Sequence, residues 1–118
     1  MARLSKNFSR EEFACKCGCG FDTVDIELIG VLESVRAEFK APISVTSGCR
    51  CLKYNQSVSG AADSQHTKGR AADIVVSGVG APSVYAFLCI AYPSKFGFGR
   101  YDGFTHVDTR TNNARWNG

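Results

Sequence analysis

The chain lacks any apolar stretch long enough to cross a membrane, which excludes a helical membrane span. It has no run of basic residues and no interleaving of basic and aromatic side chains. A net charge of +3 is therefore too mild and too dispersed to indicate nucleic-acid binding. The first residues, Met-Ala-Arg-Leu-Ser-Lys-Asn-Phe, lack the apolar core of a signal peptide, so synthesis in the cytoplasm is expected. Repeats, linkers and low-complexity segments are absent, and 118 residues suffice for one domain with a real core. A single domain over 1–118 is therefore expected. Hydrophobic residues make up 44% and charged residues 21%, close to globular averages, which excludes disorder. Histidine is scarce and informative: there are two, His66 and His106.

Both histidines have carboxylates nearby. Residues 64–73 read Ser-Gln-His-Thr-Lys-Gly-Arg-Ala-Ala-Asp, and His106 follows 33 residues after Asp73 in Thr-His-Val-Asp. Two histidines and an aspartate make three nitrogen and oxygen ligands. Three protein ligands leave a fourth position on zinc for water, which separates a catalytic site from a closed structural one. Gly69 allows a sharp turn between His66 and Asp73. Asp73 lies near the start of the apolar run Ala71–Val76, where burial is costly unless the carboxylate is paired or binds a metal. If Tyr101–Asp108 is extended, Asp102, Phe104, His106 and Asp108 share one face.

These residues carry a resemblance. Ser64-Gln65-His66-x-x-Gly69-x-Ala71-x-Asp73, preceded by Ser47-Gly48-Cys49-Arg50 and followed by His106-Val107-Asp108, resembles the zinc D-Ala-D-Ala carboxypeptidase family. That family includes peptidoglycan endopeptidases, many of them phage endolysins. Asn7-Phe8-Ser9-x-x-Glu12-Phe13 and Val107-Asp108-x-Arg110 resemble its compact single-domain branch, and the similarity runs from about Leu4 to Trp116. The resemblance implies zinc held by His66, Asp73 and His106, substrate binding by Arg50, and Ser64 lining the site. It implies a peptidoglycan peptide substrate, no nucleic-acid or membrane partner, and a monomer. The site of action would be the cell wall, reached with another agent such as a holin, or as a virion-associated protein.

The pattern departs from its relatives at the general base. Some place a carboxylate three residues before the last histidine, where this chain has Gly103. Others place a histidine two residues before, where it has Phe104. The nearest carboxylates are Asp102 and Asp108, and both are candidates for the catalytic base. Asp102 is the preferred one, because it lies at the edge from which relatives supply theirs. Asp108, two residues from His106 and close to Arg110, also suits a role in orienting a ligand. Arg50 can grip a carboxylate bidentately or stabilise an oxyanion, which lysine would do less well. A rival reading is a metal-holding binding module without catalysis, as in the hedgehog signalling domain.

Six cysteines form the second unusual feature. Cys15, Cys17 and Cys19 alternate in Cys-Lys-Cys-Gly-Cys-Gly, Cys49 and Cys51 flank Arg50, and Cys89 sits alone in an apolar run, as a buried free thiol. A disulfide between loops, a structural metal and free thiols all remain open. In either bonded case Cys51 is the expected partner of the first cluster, tying the N-terminal loop to the Arg50 turn.

Ser9 and Glu12 form a capping box for a short helix over 10–14. Leu28, Ile29, Leu32, Val35 and Phe39 predict a helix over 23–39, and alternation predicts a strand over 43–46. A short helix over 52–58, a loop over 59–63, a strand over 71–76 and a helix over 82–91 follow. Strands over 96–101 and 104–109 would be joined by a hairpin turn at Asp102-Gly103, which would point Asp102 away from the metal. The tail 111–118 is polar apart from Ala114 and Trp116, with the tryptophan packing back or stacking on sugar. The order of elements predicts a small α+β domain: an antiparallel sheet with helices packed on one face and the zinc site in a groove on the other.

Overall fold

The first long helix owes its bounds to its neighbours as much as to its own periodicity. In the computed structural model, which describes residues 3–61 and 64–118, this helix (α1) spans Ile26–Phe39. Leu28, Ile29, Leu32 and Val35 are buried, as their spacing requires, and Val31 joins them. The predicted start at residue 23 is three residues early. The Asp25 N–H donates to Gly69 O at 2.8 Å and its carboxylate accepts from Thr109 Oγ1 at 2.6 Å, which holds 23–25 extended. Lys40, in the left-handed region at φ 51°, ends the helix two residues before Pro42.

Strand β1 (Ile43–Ser47), helix α2 (Leu52–Ser57), strand β2 (Ala71–Val76), helix α3 (Ala81–Ala91) and strands β3 (Gly97–Arg100) and β4 (Thr105–Asp108) follow the predicted order. Arg10–Phe13 forms a 3-10 turn in place of a helix over 10–14, and its capping box is present: the Ser9 N–H donates to Glu12 Oε2 at 2.7 Å. A second 3-10 turn, Gln65–Lys68, carries His66. Part of the loop expected over 59–63, residues 62 and 63, lies outside the described residues.

The sheet runs β1-β2-β4-β3-β5, and its last strand corrects the reading of the tail. β5 (Ala114–Asn117) lies parallel to β3, pairing Gly99 with Trp116, so the sheet is mixed and only its first four strands are antiparallel. A four-residue segment with two polar side chains carries no alternation strong enough to be read alone. Its pairing comes from the sheet edge that β3 offers.

Period-two alternation divides the sheet's faces. Ala72, Ile74 and Val76 of β2, Phe98 of β3 and Val107 of β4 point into one core with Leu28, Leu32, Val35, Val84 and Leu88 of α1 and α3. Phe8 and Phe13 close this core from the N-terminal segment, their rings 6.0 Å apart. The opposite phase of the strands carries Asp73, Gly97, Gly99, His106 and Asp108. The polar site therefore sits on the far side of the sheet from α1 and α3, while the short helix α2 flanks the site itself through Asn55.

Candidate metal centre

β2 and β4 are paired antiparallel with Asp73 directly opposite His106. That register places a carboxylate beside an imidazole on the face away from the core. The 3-10 turn at Gln65–Lys68 brings His66 over them. Ser64 caps the turn, its hydroxyl accepting from the His66 N–H at 3.2 Å. Gly69 ends it at φ 70°, where an added Cβ would stand 2.6 Å from Thr23 O, so only glycine fits.

The three ligand atoms converge. Asp73 Oδ1 is 3.0 Å from His106 Nδ1 and 3.4 Å from His66 Nε2, and all three lie within 4.8 Å of one another. A tetrahedral ion with bonds of about 2.0–2.2 Å needs ligand atoms about 3.3–3.6 Å apart, so the spacing fits zinc with small adjustment. Two nitrogens and one carboxylate also suit zinc chemically.

Each histidine is turned to present the right nitrogen. His66 Nδ1 lies 2.6 Å from Gly48 O, which can only accept, so Nδ1 carries the proton and Nε2 is free for a metal. Gly48 comes close because it has no side chain: a Cβ there would meet Phe13 backbone atoms at 2.5 Å. His106 Nε2 lies 2.8 Å from Asp108 Oδ2. Burial alone would raise the Asp108 carboxyl, but hydrogen bonds from His106 and Arg110 outweigh it and hold it down at about 2. Asp108 is therefore an anion that accepts, Nε2 donates, and Nδ1 faces the metal position. Asp73 lies below the usual carboxylate range in the metal-free protein: burial opposes its ionisation, and the ring nitrogens of His106 and His66 that face it outweigh burial until a metal takes their place. Burial pulls His106 down, yet the two carboxylates more than compensate and raise it.

Of the two roles open to Asp108, its surroundings favour orienting His106. Asp108 is wholly buried and both oxygens are engaged. Arg110 donates through Nε to Oδ1 at 2.8 Å and through Nη2 to Oδ2 at 2.7 Å, and the Arg110 backbone N–H reaches Oδ1 at 3.2 Å. A carboxylate saturated in this way is placed to orient His106, and it does not line the cavity that holds the histidines. Gly97 makes room for the pair, since a Cβ there would meet Asp108 Oδ1 at 2.5 Å.

Asp102, the preferred candidate for the base, stands apart from the histidines. It is exposed in the turn before β4 begins at Thr105, so it is outside the strand's alternation. It borders two shallow clefts, one with Pro82 and Asn117 and one with Val79 and Ala81, and does not line the cavity that holds the histidines. The hairpin closes by the Tyr101 N–H to Phe104 O at 3.1 Å, with the two rings stacked 4.5 Å apart, and this turns Asp102 outward. Among the described residues lining the cavity, the only carboxylate is Asp73.

That cavity, about 600 Å³, opens above the ligand atoms, and Arg50 and Ser64 line it. Arg50 is held in three directions: Nε donates to Ser47 Oγ at 3.1 Å, Nη1 to Asn55 Oδ1 at 3.2 Å, and Nη2 lies 3.5 Å from Asp73 Oδ2. Buried Asn55 is fixed in turn by its amide to Ala61 O at 2.8 Å. Gly60 leaves the space this requires, since a Cβ there would stand 2.0 Å from Asn55 Oδ1. On the other wall Trp116 lies across Gly99, its ring 5.1 Å from that of His106, and its indole N–H donates to Tyr101 Oη at 2.9 Å. Sequence reasoning left Trp116 with two roles and missed Tyr101. The usable signal was Gly97 and Gly99, two glycines on the site face of one strand, which leave a trough for side chains from neighbouring strands.

A buried two-histidine, one-carboxylate set, open to a cleft on one side and flanked by a fixed arginine, is the outline of a metallohydrolase site. Residues 6–108 match the Peptidase M15 family, and the chain belongs to that family. It is thus a metallopeptidase of the zinc D-Ala-D-Ala carboxypeptidase group, with peptide as substrate. No curated protein matches the chain.

Proposed function

We propose that the protein is a zinc peptidase that cuts stem or cross-link peptides of peptidoglycan, acting as a monomeric phage lysis enzyme. In this reading it is made in the cytoplasm and works at the cell wall after release, or travels as a virion-associated protein. The observation that carries the reading is the convergence of His66 Nε2, Asp73 Oδ1 and His106 Nδ1 on the floor of an open cleft beside Arg50. Zinc bound there supplies Lewis-acid chemistry, acidifying water and polarising the scissile carbonyl. Gly48 O and Asp108 keep the two imidazoles in the tautomers that leave Nε2 and Nδ1 as ligands. Arg50, pinned by Ser47 and Asn55, presents a fixed guanidinium to a substrate carboxylate or to the oxyanion that develops at the attacked carbonyl. Tyr101 and Trp116 wall the cleft with amphipathic rings suited to a short peptide on a glycan. The net charge of +3 favours approach to an anionic wall.

The test is release of peptide or new amino termini from purified peptidoglycan, with and without a chelator. Release that stops with chelator and returns with zinc is expected. Wall binding without release in the zinc-loaded protein would instead indicate a binding module of the same fold.

A further inference from the structure

On the far side of the Arg50 turn lies a second convergence of ligand atoms. We propose that Cys15, Cys17, Cys19 and Cys51 form a tetrahedral thiolate site for one zinc-class divalent ion. The four sulfurs lie within 4.8 Å of one another. Cys15 Sγ is 3.5 Å from Cys17 Sγ, and Cys17 Sγ is 3.7 Å from Cys51 Sγ. A disulfide would bring two sulfurs to about 2.05 Å. A tetrahedron with zinc–sulfur bonds of about 2.3 Å has edges of about 3.8 Å. The two observed spacings are far too long for a disulfide and close to the edge of such a tetrahedron.

The backbone is shaped for this. In an extended strand Cys15 and Cys19 would stand about 13 Å apart. Gly18 and Gly20, at φ 81° and 91°, curl the loop instead, although a Cβ at either would meet nothing within 4 Å. The glycines therefore serve conformation and not space. The loop is closed by the Cys15 N–H to Phe21 O at 2.8 Å and the Gly18 N–H to Cys15 O at 3.2 Å. Two further N–H groups point at sulfur: that of Cys51 at Cys15 Sγ and that of Tyr54 at Cys51 Sγ, each at 3.4 Å. Such donors favour thiolate over thiol, the form a soft divalent ion requires. Binding releases the thiol protons to solvent. Cys49 is excluded from the set, since its thiol donates to Phe21 O at 2.9 Å. Cys89 is half-buried on α3, elsewhere in the fold.

The ion would clamp the N-terminal loop to the segment Gly48–Cys51. That segment supplies the carbonyl that orients His66, then Arg50, then the ligand Cys51, which caps α2. The proposal does not depend on peptidase activity.

Protein prepared without oxygen and with zinc present should hold two zinc ions per chain. Its cobalt-substituted form should show an intense thiolate-to-cobalt charge-transfer band in the near ultraviolet. His66→Ala should retain that band and lose the other ion. Cys17→Ser combined with Cys19→Ser should lose the band and keep one ion. After denaturation in chelator all six thiols should titrate. Absence of the band from folded wild-type protein, or two thiols missing from the titration, would overturn the site. Because the band is read in the wild type and in His66→Ala, the proposal stays testable even if the double cysteine variant fails to fold.

Discussion

Replacing Asp108 by asparagine separates orientation of a ligand from proton transfer. Oδ1 accepts from the Arg110 backbone N–H and Nε, and Oδ2 accepts from His106 Nε2 and Arg110 Nη2. An asparagine amide must point its NH2 at one of these pairs of donors. If it faces His106, the imidazole escapes the clash by moving its proton from Nε2 to Nδ1, the nitrogen that faces the metal. If it faces Arg110, the buried fork is broken. Either way zinc affinity should fall by about 10- to 100-fold, the scale for losing a partner that orients a ligand. Breaking a buried pair costs about 3–5 kcal/mol and leaving a buried donor unpaired about 1–3 kcal/mol. Arg110 keeps about a third of its side-chain exposure, 34%, so the loss should fall between these, at about 2–4 kcal/mol. Competition of the protein with a chromogenic chelator measures the first quantity and denaturant unfolding of metal-free protein the second. Turnover at full zinc occupancy should recover substantially. Unchanged zinc affinity with turnover abolished at full occupancy would refute the argument and return Asp108 to the role of base.

Asp102→Asn should keep both zinc and near-normal turnover, since Asp102 does not line the cavity; loss of the acidic limb of the pH–rate profile would bring it back to the site. Arg50→Lys should leave folding and zinc content intact and lower turnover by about 10²-fold, because an ammonium cannot meet Ser47, Asn55 and substrate together; wild-type kinetics would place Arg50 outside the chemistry. Zinc affinity should rise with pH past the ordinary histidine value of about 6.5, because the raised His106 holds a proton at Nδ1 that the metal must displace; a flat profile in isothermal titration would contradict this. In the metal-free protein the raised His106 contributes stability that is complete below about 6.5 and lost as pH rises through its folded value. Depressed Asp73 and Asp108 contribute stability present above about 3.9 and lost on acidification, so stability should peak in the mildly acidic window between. Unfolding midpoints measured across pH without metal would show a peak elsewhere if these assignments are wrong.

Local order in the chain determined α1, α3 and the first four strands, because apolar spacing at 3.6 or 2 residues is visible without partners. It also named the candidate ligand residues: only two histidines exist, and the turn allowed by Gly69 puts His66 within reach of Asp73. Three things were decided by tertiary structure. The tail became a parallel strand because β3 had an unpaired edge, a contact that four residues cannot announce. The surroundings of the two carboxylates near His106 followed from burial and sidedness: Asp108 lies in the strand's alternation and is enclosed by Arg110, while Asp102 falls in the turn and faces solvent. The cysteines at 15, 17 and 19 met Cys51 only because the core seats the N-terminal segment, through Phe13, against the turn at Gly48. Sequence spacing names the groups that can do chemistry, but distance, burial and direction depend on which surfaces pack together, and those belong to the whole fold.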